Sequence, residues 1–191
     1  MNPKRTGQPA APVLTLADAK AHLKVTFSDV NNDAYITTLV DVATRAAEDR
    51  LQRTLISTPW CLTLDTFPDA FRLMYPPILT AVAVRYRDVA GTEQTLDPAD
   101  YQLDKVSEPG YLVPAPGRSW PVTEAGRVNA VAVDYTAGYG SSAAAVPAPI
   151  RHWILLALTD MYERRGRSAE KPAVPQHFAE GLLDTYLMWS V

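Results

Sequence analysis

Cysteine is nearly absent from this chain of 191 residues. Cys61 stands alone, which excludes an intrachain disulfide and a cysteine-cluster metal site. That usage suits a reducing compartment, and a cysteine-poor secreted protein would look the same. Histidine is scarce too. His22, His152 and His177 fall on three separate predicted helices without HExxH-type spacing, so no metal site is expected. Long apolar runs are missing. The stretch around Ile154–Leu158 is far shorter than the roughly 18 residues of a membrane span, and Met1 to Pro12 lacks the apolar core of a signal peptide. The chain therefore reads as soluble, with no membrane partner. Neither charge dominates: 18 Lys and Arg against 21 Asp and Glu leave −3, so the surface as a whole has no electrostatic reason to hold nucleic acid.

Catalytic and cofactor motifs are also lacking. There is no G-x-S-x-G elbow, no G-x-G-x-x-G and no Walker loop. Ser141 and Ser142 have no strand-to-helix elbow around them. Ser168-Ala-Glu-Lys171 spells S-x-x-K without supporting motifs. Gly138-Tyr139-Gly140 is too short to cradle a phosphate and reads as a flexible exit from the preceding strand. Asp97, Asp100 and Asp104 lack calcium-loop spacing and read as a solvated turn. The expectation is no catalytic residue, no metal, no cofactor and no enzymatic activity.

What is present is an ordinary globular composition, 47% apolar and 20% charged. A chain of this length can bury roughly 70% of its unfolded surface, enough for a real core in one or two domains. Proline and glycine divide it. Residues 13–56 contain neither, residues 57–146 hold nine of the 16 prolines and six of the nine glycines, and residues 150–165 again hold neither. The order is helices, then strands and turns, then helices.

Residues 1–12, with Pro9-Ala-Ala-Pro12, read as a flexible N-terminal arm. Thr15-Leu-Ala-Asp18 is a capping-box pattern opening a short helix that ends near Val25. A long helix follows, from about Asp33 to Thr54, with Ile36, Leu39, Val40, Ala43, Ala47 and Leu51 on one stripe. Period-two runs then occur at Trp60–Leu64, Phe71–Tyr75, Val82–Tyr86 and Val131–Tyr135, with shorter candidates at Tyr101–Asp104 and Tyr111–Val113. Asp88–Thr92 and Pro109-Gly110 read as turns. Pro147-Ala-Pro149 precedes a helix whose apolar face includes Ile150, Ile154 and Leu158 and which Gly166 ends. A last helix is expected from about Pro175 to Trp189. The fold class is thus α+β: a helical bundle from residues 13–56 plus 147–191, with a β-rich insertion, 57–146, forming an antiparallel sheet or small sandwich. The insertion is the acidic part, with 10 acidic against 6 basic side chains.

Two segments suggest partners. Arg164-Arg165-Gly166-Arg167 is the best phosphate candidate, although cations at a helix C-terminus also complement the macrodipole. The final helix crowds Phe178, Leu182, Leu183, Tyr186, Leu187, Met188 and Trp189 over more than one face. Either a partner or second subunit covers that surface, or the chain's own core does.

Taken in order, these segments resemble the head–tail connector (adaptor, or head completion) family of long-tailed bacteriophages and phage-like gene transfer agents. The resemblance runs from Leu14-Thr-Leu-Ala-Asp-Ala-Lys-Ala-His-Leu-Lys24 through Leu51-Gln-Arg-Thr-Leu-Ile56, Trp60-Cys-Leu-Thr-Leu-Asp65, Tyr75-Pro-Pro-Ile78 and Val82-Ala-Val-Arg-Tyr86. It continues through Gly91-Thr-Glu-Gln-Thr-Leu-Asp-Pro-Ala-Asp-Tyr101, Trp120-Pro121, Val133-Asp-Tyr-Thr-Ala-Gly-Tyr-Gly140 and Val146-Pro-Ala-Pro-Ile150, fading after Arg165. Order and spacing carry it, not any single motif. The resemblance implies a structural virion protein of the neck, assembled in the host cytoplasm. Its subunits form a ring, typically of about twelve, beneath the portal protein, and support a stopper or tail-completion protein. DNA passes through the lumen without sequence-specific binding. It further implies that the C-terminal segment engages the portal. The alternatives are another neck role, stopper or tail completion, and a DNA-binding packaging factor.

Overall fold

The computed structural model describes residues 3–164 and 177–188. It divides into two compact units, one of residues 1–10 with 53–141 and one of 11–52 with 142–191.

The first unit is β. Strands β1 (Lys4–Arg5), β2 (Thr58–Leu64), β4 (Ile78–Arg87), β5 (Glu93–Thr95) and β8 (Val131–Ala137) form one antiparallel sheet in the order β1-β2-β8-β4-β5. Strands β3 (Phe71–Leu73), β6 (Tyr101–Asp104) and β7 (Gly110–Pro114) form a second, in the order β3-β7-β6. In β2 and β8 the alternation seen in sequence is the alternation of burial, whereas in β4 it breaks at Val82, which is 62% exposed beside a register shift between Ala81 and Ala83. Trp60, Leu62 and Leu64 of β2 and Val131, Val133 and Tyr135 of β8 point into one core with Phe71, Leu73 and Leu112 of the smaller sheet. This is sandwich packing, each inner face covering the other. Aromatic rings seal it: Trp60 stacks on Tyr75 at 4.5 Å, and Phe67 on Trp120 at 5.1 Å. The Tyr135 hydroxyl donates to the Met74 carbonyl at 3.0 Å, so this buried phenol brings its own partner.

The N-terminal arm departs from expectation. Lys4 pairs with Cys61 and Arg5 with Trp60, the Thr6 N–H donates to the Pro59 carbonyl at 3.0 Å, and the Arg5 guanidinium lies 5.2 Å from the Trp60 ring centre. Lys4 and Arg5 form an edge strand. The prolines at 3, 9 and 12 leave residues 4–6 free to donate, and charged side chains suit a sheet edge.

Residues 138–140 are also pinned rather than a flexible exit. Gly138 has φ +134°, and a Cβ there would lie 2.6 Å from the Ile56 carbonyl carbon and the Ser57 nitrogen. The Ser57 N–H donates to the Gly140 carbonyl at 2.8 Å and the Tyr139 N–H to the Leu55 carbonyl at 3.0 Å. Only glycine allows this crossing.

The second unit is helical: α1 (Leu16–Leu23), α2 (Asp33–Leu51), α3 (Ala148–Glu163) and α4 (His177–Asp184). Helix α3 packs on α1, α2 and α4. The predicted capping box forms. The Asp18 N–H donates to the Thr15 hydroxyl at 3.1 Å, and the Thr15 N–H returns to the Asp18 carboxylate at 3.2 Å. All six stripe residues of α2 are buried, as are Ile150, Ile154 and Leu158 of α3. Helix α2 stops at Leu51, three residues before the expected Thr54, because Gln52 turns left-handed (φ 54°).

The buried Lys20 is a feature that periodicity does not reveal. Its ammonium donates to the Phe27 carbonyl at 3.3 Å and the Asp29 carbonyl at 2.8 Å, and pairs with the Asp33 carboxylate. One cation thereby fastens the loop between α1 and α2.

Candidate interaction surfaces

The C-terminal segment carries the predicted interface residues. Its helix is shorter than the expected span to Trp189: α4 ends at Asp184. The Tyr186 N–H donates to the Leu183 carbonyl at 2.9 Å, a three-residue bond that tightens and terminates the last turn. The chain then runs back to α2, where the Met188 N–H donates to the Leu51 carbonyl at 3.3 Å. Leu183 is fully buried in the helical unit, so this residue serves the chain's own core. Leu182, Tyr186, Leu187 and Met188 are half-buried. Trp189 and the Phe178 side chain lie outside the described residues.

The other sequence candidates resolve into local structure. Arg164 pairs with Asp160 at 2.8 Å, one turn back on α3, while residues 165–171 lie outside the described residues. The three carboxylates at 97–104 each have local work. Asp97 accepts from the Ala99 N–H at 2.9 Å, Asp100 pairs with Arg118 at 3.4 Å, and Asp104 accepts from the Val106 N–H at 2.8 Å and the Ser107 hydroxyl at 2.6 Å. The Ser107 hydroxyl holds Asp104 below the usual carboxylate range. Ser141 is exposed at the end of the β unit.

Cys61 is half-buried on β2. Burial first, then the neighbouring Asp134, pushes its thiol up to about 11. At neutral pH it is protonated and a poor nucleophile. Asp134 itself is engaged by Arg85, which donates to it at 2.7 and 3.1 Å. Among the described residues no three His, Cys, Asp or Glu side chains gather as a metal group.

An ion pair that joins a buried guanidinium to an exposed carboxylate was not legible in sequence. Arg53 donates through Nη1 to Glu108 at 2.7 Å and through Nη2 to the second carboxylate oxygen. Its partner is 55 residues away, so no local pattern announces it. The bond from Arg53 holds the Glu108 carboxyl below its ordinary value despite partial burial. Two of the three histidines, apparently scattered in sequence, do come near one another: His22 and His152 line one cleft, with Asp18 and Arg151. The packing of α1 on α3 creates that proximity, and neither helix shows it alone.

Comparison with known proteins gives the geometry a context. Residues 13–93 match the family model of the phage gp6-like head-tail connector protein. No curated protein sequence matches the chain. Solved structures of gene transfer agent (GTA) particles do. A chain from the neck of an empty GTA particle, with C6 symmetry, has TM-score 0.82 and 27% identity, the match covering 100% of this chain and 97% of that one. A chain from the virion of a native GTA particle gives 0.81 and 27% over the same shares. A chain from the neck of a native particle, with C12 symmetry, gives 0.78 and 26%, again over 100% and 97%. The family signature begins just before α1 and crosses into the sheet, and the fold of a GTA neck chain agrees with this one along its whole length.

Proposed function

We propose that the chain is a structural subunit of the neck of a phage or phage-like particle. It forms a ring between the portal protein of a DNA-filled head and the next neck or tail component, a stopper or tail-completion protein. The observation that carries this reading is the whole-chain likeness to a GTA neck chain at TM-score 0.82. A twelve-membered ring follows the C12 symmetry of a related neck. A cyclic ring needs two different complementary faces on each subunit.

The role is mechanical, without catalysis or cofactor. DNA crosses the lumen without sequence-specific contact, since tight phosphate binding would hold back its exit. The C-terminal segment, with the half-buried Leu182, Tyr186, Leu187 and Met188 and with Phe178 and Trp189, is the proposed contact with the portal or a neighbouring subunit. Leu183 supports that segment from within the core.

Deleting the gene tests the role. The expected particles, seen by electron microscopy, are DNA-filled or leaking heads without tails, restored by supplying the gene in trans. Tailed particles of normal infectivity would overturn it. Empty heads together with a steep salt-dependent affinity for duplex DNA would point to a packaging factor instead.

A further inference from the structure

We draw no further inference here: the strongest candidate, the surface patch of exposed Val89, Val122 and Val128 on the β-unit loops that meet at the backbone bond from Glu124 to Arg87, carries nothing, because the arginines around it are paired with Glu93 and Glu124 and nothing in the structure shows what covers it.

Discussion

Arg53 retains 8% of its exposure and still keeps its charge, because Glu108 meets it with both carboxylate oxygens. Glu108 is more open, with its side chain 39% exposed, so solvent screens the pair from one side. Glu108→Gln is therefore expected to cost about 1 kcal/mol at neutral pH, measured by urea unfolding. The pH dependence has a definite sign. Glu108, Asp18, Asp88 and Asp104 all titrate below their ordinary values in the folded chain, through bonds from Arg53, Thr15, Gln94 and Ser107 respectively. Groups depressed by folding contribute stability above their unfolded pKa, near 4, and that stability is lost as pH falls through the folded values. The unfolding midpoint should thus hold between neutral pH and about 5 and decline below 4, with most of the decline owed to Glu108, since Asp18, Asp88 and Asp104 are screened by solvent. The fall should be shallower in Glu108→Gln.

At the scale of elements, two residues decide how segments join. Lys20 fastens the loop between α1 and α2 through two carbonyls and Asp33. Lys20→Met keeps the volume but leaves those acceptors without their cation, at an expected cost of about 2–4 kcal/mol in chemical denaturation. Gly138→Ala forces a Cβ to 2.6 Å from the backbone at 56–57 at a φ of +134°, and should leave little soluble protein at the wild-type expression temperature. Local physics made some of these elements readable. The α2 stripe, the capping box at Thr15 and the strands at Trp60–Leu64 and Tyr101–Asp104 follow from periodicity and short-range bonding. The two-residue β1 and three-residue β5 are too short to show a period. The left-handed turn at Gln52 and the shortened α4 hang on one or two bonds at a helix end, which residue type does not dictate. The Arg53–Glu108 pair and the Arg151 cleft required the tertiary fold, since their members come from distant segments.

At the scale of the molecule, a β unit and a helical unit are built from interleaved parts of one chain. The family signature over residues 13–93 reaches into both. The mass of the purified protein by light scattering, alone and after mixing with the portal protein proposed as its partner, tests the ring reading head-on. The account predicts a multi-subunit ring in complex with portal, whatever the state of the free chain. A monomer that ignores the portal and binds duplex DNA would contradict it.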